Sequence, residues 1–238
     1  MLESLLMGVA GLVALAAVLV IARGPLFGTR IYRPMLLNLA LSVTPLVVLA
    51  GSIIMWAVAT ALGAHVVATA IVVVCAVVWL LALPNAAYLV TELNLNHRRP
   101  GEHVPEWYDV LLVLVLAMSG VLSTVLNVFL VQLEYTLVRS GDTAAGLTAT
   151  DVRVLVGVVL VLVSFGVWLG RNVRVNSWDV VRPWRLAARV VAHLRTPGTA
   201  VNALGFTVVA TAFFATMYLV VIGPVIQGLI AIEQARGS

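Results

Sequence analysis

V-V-A-T-A-I-V-V-V-C-A-V-V-W-L-L-A-L (66–83) runs without a charge into P-N-A-A-Y-L-V-T-E-L (84–93). The first stretch decides the fold, and the second raises the question of a site. An apolar run of this kind is far longer than a barrel strand and approaches the roughly 20 residues that a helix needs to cross hydrocarbon. Similar runs recur along the chain, giving six spans at about 4–22, 35–57, 66–90, 108–132, 152–170 and 204–226. Composition agrees: the 238 residues are 62% hydrophobic and only 10% charged, where a soluble domain carries about a quarter charged residues. Lipid leaves no partner for free backbone groups, so the spans are read as helices. The expected architecture is all-α, a single six-helix integral membrane bundle over residues 1–238. The first span has Glu3 where a leader peptide would be basic, so it is read as a retained helix.

All fourteen basic residues are arginines, and their distribution orients the bundle. Arg23, Arg30 and Arg33 are assigned to loop 1 and Arg98 and Arg99 to loop 3, while Arg171, Arg174, Arg182, Arg185, Arg189 and Arg195 fall in loop 5. That is eleven on one side against Arg139, Arg153 and Arg236 on the other. The positive-inside rule then places loops 1, 3 and 5 in the cytoplasm and both termini outside, in a bacterial cytoplasmic membrane. The same distribution explains the basic balance without nucleic acid, which is not expected as a partner. Cys75 is the lone cysteine and excludes an intramolecular disulfide.

Loop 5 contains R-P-W-R-L-A-A-R-V-V-A-H-L (182–194). Helical spacing puts Arg182, Arg185, Arg189 and His193 on one face, with Trp184, Ala187, Val191 and Leu194 opposite. Pro183 suits a first helical turn, and such a basic amphipathic helix belongs in the headgroup layer on the cytoplasmic side, between helices five and six. The outer stretch 139–151, rich in small and polar residues, reads as an ordinary connector.

The polar residues that could carry chemistry gather at the arginine-rich end. If helix continues through Pro84, Asn85, Glu92 and Asn96 share a narrow stripe bordered by Tyr88. Pro84 removes a backbone hydrogen bond, which predicts a kink. A carboxylate such as Glu92 near a membrane interior needs protein, water or a partner; the alternative is a headgroup-level residue that ends the helix. P-E-W-Y-D (105–109) opens span four, with Trp107 and Tyr108 as interfacial anchors and Asp109 favoured by the helix dipole. In G-V-W-L-G-R-N-V-R-V-N-S-W-D (166–179), Gly166 and Gly170 permit close helix approach, and Arg171 and Arg174 share a face. Asn176 is placed to cap a new helix with Asp179 reaching back. Asn38 in span two lies near the same side. Asn127, Gln132, Ser119, Ser123 and Thr124 in span four are read as interhelical hydrogen bonds.

N-L-A-L-S-V-T-P-L (38–46), L-P-N-A-A-Y-L-V-T-E-L (83–93), W-Y-D (107–109) and G-R-N-V-R-V-N-S-W-D (170–179), in this order, resemble bacterial membrane proteins grouped as domain of unknown function 1361. The resemblance covers about residues 36–182. It implies a fold and a set of positions but no reaction. In the family pattern the acidic position is usually aspartate, with a histidine three residues later. Here Glu92 and Leu95 stand there and His97 is displaced by two, which weakens a metal site built on that histidine.

Absence of C-x-x-C, H-E-x-x-H, P-loop and G-x-S-x-G patterns leaves zinc-protease, NTPase and serine-hydrolase readings without an anchor. Three functions stay open. In the first, a cytoplasm-facing pocket binds or transforms a lipid headgroup or other anionic amphiphile. Glu92, Asp109 and Asp179 are its candidate catalytic groups or the holders of a divalent cation. Asn38, Asn85, Tyr88, Trp107, Arg171, Arg174, Asn176 and Trp178 are its candidate ligand-binding groups. The second is an ion- or proton-coupled transporter or channel through Glu92. The third is a non-catalytic scaffold for a partner protein. Membrane lipids are expected neighbours in all three; enzymatic activity, metal and oligomeric state are left open.

Overall fold

The computed structural model describes residues 2–30, 33–92, 103–140, 144–173 and 183–237. Seven α-helices make up almost all of it: α1 (Leu2–Phe27), α2 (Arg33–Ala61), α3 (His65–Tyr88), α4 (Glu106–Ser140), α5 (Thr150–Asn172), α6 (Pro183–Leu194) and α7 (Thr199–Gly237). Six of them, all but α6, are long and apolar enough to cross a membrane. The chain is an all-α, multi-pass membrane protein, as the hydropathy pattern predicts. The helices overrun the apolar runs that announced them, because helical hydrogen bonding continues through flanking polar residues into the headgroup zone.

α4 is the central helix: 67% of its membrane window is buried inside the protein, against 17% for α1 and 22% for α2 and α3. It presents two apolar clusters. Toward its start, Leu112 and Leu116 pack with Ala16 and Val20 of α1 and Met35 and Leu39 of α2. Farther on, Val125 and Phe129 pack with Leu83 of α3, Val163 of α5 and Ile222 of α7. The outer helices can remain apolar on both faces because lipid solvates the exposed one as well as protein does.

α2 and α3 form a tight antiparallel hairpin. Gly63 has φ of +71°; its N–H donates to Thr60 O at 3.0 Å, and the Ala64 N–H donates to Ala59 O at 2.9 Å. This is the Schellman arrangement, in which a left-handed residue lets the chain satisfy the last helical carbonyls as it turns.

Helix continues through Pro84, as the polar stripe required, and tightens into a 3-10 turn, Leu89–Glu92. The Pro84 ring rests on Gly166 of α5: a Cβ at Gly166 would stand 2.5 Å from Pro84 Cγ. One turn on, Tyr88 covers Gly170, whose added Cβ would meet the ring at 3.8 Å. The glycine pair therefore does what its spacing predicted, and α3 is the neighbour it admits. Gly120 of α4 does the same for α3 and the turn after it: its Cβ would meet Ala86 O and Leu89 Cβ, both at 2.6 Å.

Four sequence expectations change. Arg23 is not a loop residue: α1 runs on to Phe27 and buries Arg23 within its last turns. Only part of the polar set in α4 bridges helices. Asn127 accepts from the Trp79 indole at 3.1 Å, and Gln132 accepts from the Tyr218 hydroxyl while donating to Leu147 O at 2.9 Å. Ser119 and Thr124 instead donate to Leu116 O and Gly120 O of their own helix at 2.7 and 2.8 Å. Short hydroxyl side chains reach their own preceding turn more readily than a neighbouring helix. The buried Ser123 hydroxyl has no hydrogen-bond partner among the described residues.

The connector near 139–151 is more than a plain loop. A 3-10 segment, Ala144–Thr148, buries Leu147. It also offers the Ala144 N–H to Glu233 of α7 at 2.7 Å. Arg139 and Asp151 pair across its ends at 2.7 Å.

α6 forms where the amphipathic pattern predicted it, beginning at Pro183. The protein covers a flank of it, with Leu186, Val190, His193 and Leu194 half-buried. His193 and Leu194 depart from their assigned faces: the His193 ring lies 5.9 Å from Trp168 of α5, and Leu194 turns toward the protein. The apolar stripe of Trp184 and Val191 is left open at 69% and 46% exposure, as a helix seated in an interface requires.

Candidate functional site

The ends of α3 and α5 and the start of α7 enclose a groove of about 670 Å³. α3 and its following turn supply Ala87, Val90 and Thr91, and α5 supplies Val167 and, one turn later, Arg171. α7 lines the opposite wall from Asn202 to Phe214, with Phe206, Val209 and Phe213 between them. The twelve steps of helix from Asn202 to Phe214 span roughly 18 Å at 1.5 Å per residue, so the groove is long as well as apolar.

Polar groups collect at one end of it. Arg171 sits in the last turn of α5, exposed, and among the described residues it has no ion pair or hydrogen bond from its guanidinium. Asn202, one turn into α7, accepts a 3.0 Å hydrogen bond from the buried Trp168 indole. That bond holds the amide oxygen inward and fixes the side chain, leaving the amide nitrogen as a donor in the groove that Arg171 also lines. Thr91 donates to Tyr88 O at 2.7 Å, which keeps its oxygen available as an acceptor. Asn172 is turned back onto Trp168 O at 3.0 Å.

A different constellation holds Asp109. Its carboxylate is buried and takes the Nε–H of Arg23 at 2.9 Å, with Arg23 Nη2 at 3.5 Å from the other oxygen. Thr29 braces the guanidinium, accepting from Nη1 at 3.3 Å and donating to Arg23 O at 3.1 Å. Next to it, the Tyr108 hydroxyl donates to Leu19 O at 2.8 Å and its ring meets Phe27 edge-on at 4.9 Å. α1 is thereby bolted to the start of α4.

The 3-10 turn stands between the two constellations: Leu89 packs into the α1/α2/α4 cluster, whereas Val90 and Thr91 line the groove. Of the predicted site residues, Arg171 lines the groove. Tyr88 packs beside it against Gly170, and Asn85 is half-buried one turn earlier on α3. Glu92 ends the turn directly after Thr91, but its side chain lies outside the described residues. Asp109 engages Arg23 rather than the groove. Asn38 is half-buried near the start of α2, and Trp107 is 62% exposed on α4, as an interfacial anchor would be. Arg174, Asn176, Trp178 and Asp179 lie outside the described residues. Among the described residues no three metal-ligating side chains cluster.

Two of the polar groups that matter were missed from sequence. Arg23 follows Val9, Ala16 and Val20 along the buried stripe of α1, a helical spacing that could have marked it as inward-facing. Asn202 stands alone in an apolar helix start, a weaker signal.

Residues 37–217 match a family described as "Protein of unknown function (DUF1361)", and the chain belongs to that family. The match runs from the start of α2 to well inside α7, beyond the stretch the motifs alone covered. Comparison with curated proteins and with solved structures found no match.

Proposed function

We propose that the groove binds an anionic amphiphile, a phosphate or carboxylate group carried on an apolar tail. The observation that carries this reading is Arg171: an exposed cation without an ion pair among the described residues, at the polar end of a long apolar groove of about 670 Å³. That size falls within the usual range of ligand sites. A guanidinium presents a planar fork of donors suited to phosphate or carboxylate, and the Asn202 amide adds another donor at the same end. Phe206, Phe213 and Phe214 supply the surface for the tail. Trp184 and Val191 of α6 would anchor the groove's polar end at the headgroup layer. With the buried Arg23 set aside, the arginine count of ten against three supports placing this end in the cytoplasm, with both termini outside.

If the bound molecule is also transformed, Glu92 and Asp179 are the groups for general-base work or for a divalent cation, because Glu92 adjoins the groove through Thr91. Asp109 then acts by positioning α4 through Arg23. Binding of phosphatidylglycerol against phosphatidylcholine to the purified protein, followed by native mass spectrometry, tests the reading. Arg171→Gln should weaken retention of the anionic lipid about tenfold or more, in line with the loss of a charge-assisted hydrogen bond. Equal retention of both lipids, or no effect of the substitution, would overturn it. A conversion step is tested by Glu92→Gln, which should leave a folded protein that binds without turnover.

One observation favours a second reading, a transporter. α3 and its following turn line cavities on both sides of Pro84, through Val72–Leu80 in one half of the bundle and Ala87, Val90 and Thr91 in the other. Flux of an anionic amphiphile across proteoliposomes separates transport from binding alone.

A further inference from the structure

In the half of the bundle away from the groove, a second cavity of about 330 Å³ opens among α2, α3, α4 and α5. Leu49, Val72, Leu80, Val131 and Val159 make its walls apolar. Among the described residues lining it, Glu134 alone carries a charge. Its carboxylate has no hydrogen bond or ion pair among the described residues. Five residues along α4, Arg139 is engaged by Asp151 at 2.7 Å. Arg153 stands two residues from the cavity-lining Leu155, which at about 100° per residue puts it on the far side of α5.

A carboxylate set against apolar walls without a partner is unfavourable unless a cation pairs with it or it is neutralised. The walls themselves say what kind of cation would suit. Small inorganic cations such as calcium call for six or more oxygen ligands. This cavity offers Glu134 and the hydroxyls of Ser52 and Tyr135, and the Tyr135 hydroxyl already donates to Asp151 at 3.2 Å. An organic ammonium on an apolar tail needs one counter-ion and a hydrophobic surface, and the Tyr135 ring can add a cation–π contact.

We propose that this cavity is a binding site for an amphiphilic monocation, an ammonium group with an apolar tail, whose counter-ion is Glu134. The ammonium could be borne by a lipid headgroup or by a free amphiphilic amine. The site is separate from the groove and opposite to it in charge preference.

The test is equilibrium binding of radiolabelled dodecyltrimethylammonium to the purified full-length chain in dodecyl maltoside, corrected for protein-free micelles. Saturable binding is expected, weakened at least tenfold by Glu134→Gln; dodecanol should not compete. Ala76→Trp, at an exposed position in the cavity wall, should block the site sterically and decides the matter if Glu134→Gln fails to fold. Competition by added phosphatidylethanolamine assigns the ammonium to a lipid headgroup, and lack of competition assigns it to a free amine. Non-saturable binding, or binding that neither substitution weakens, would overturn the proposal.

Discussion

Arg23 Nε lies 2.9 Å from Asp109 Oδ1, with the two side chains only 7% and 1% exposed. A residue from the end of the first helix is thus clamped to the first turn of the fourth, across 86 positions of sequence. Removing one partner of a buried pair leaves an uncompensated charge, which typically destabilises by about 3–5 kcal/mol. Arg23→Met and Asp109→Leu should each lower thermal stability in detergent by that order. The double variant should recover much of the loss, because apolar replacements of similar volume leave no stranded charge. A cycle with strictly additive losses would show that the pair is not a coupled unit.

The Pro84–Gly166 contact predicts a steric penalty. Gly166→Ala forces a methyl group to within 2.5 Å of Pro84 Cγ, and overpacking of this kind costs about 1–3 kcal/mol. Gly157→Ala on the same helix meets nothing within 4 Å and serves as the control. Denaturation in mixed micelles should separate the two variants clearly; equal stability would mean that α3 and α5 stand farther apart.

α6 should respond to charge on its open stripe. Trp184→Glu with Val191→Glu should loosen residues 183–194 from anionic bilayers, read as increased hydrogen exchange in that segment alone. The basic face would still be attracted electrostatically, so loss of contact should be greatest at high salt. Unchanged exchange would mean that the stripe is not seated in lipid.

Orientation is open to a direct measurement. With Cys75→Ala as background, a cysteine at Thr196 should resist an impermeant reagent in intact cells, whereas one at Ala145 should react. These positions lie at opposite ends of the bundle, before α7 and before α5 respectively. Labelling of the first and protection of the second would invert the topology and turn the Arg171 groove toward the outside.

The membrane class, the number of spans and the amphipathic α6 were legible in the sequence because each depends on local chemistry. Length and hydropathy define a span whatever it packs against, and face periodicity defines α6. Gly166 and Gly170 were legible for the same reason: a missing side chain at helical spacing permits close approach by any neighbour. Sequence could not say that the neighbour is α3, because that depends on the Gly63 hairpin laying α3 beside α2 and on Pro84 meeting the gap. Nor could it pair Arg23 with Asp109, since counting arginines for orientation treats every flanking arginine as solvated. Lipid-exposed and protein-facing surfaces have the same apolar composition in a membrane, so hydropathy does not say which side of a helix faces inward. Tertiary packing alone brought Arg171, Asn202 and the α7 phenylalanines into one groove, and left Glu134 facing a second cavity at the other end.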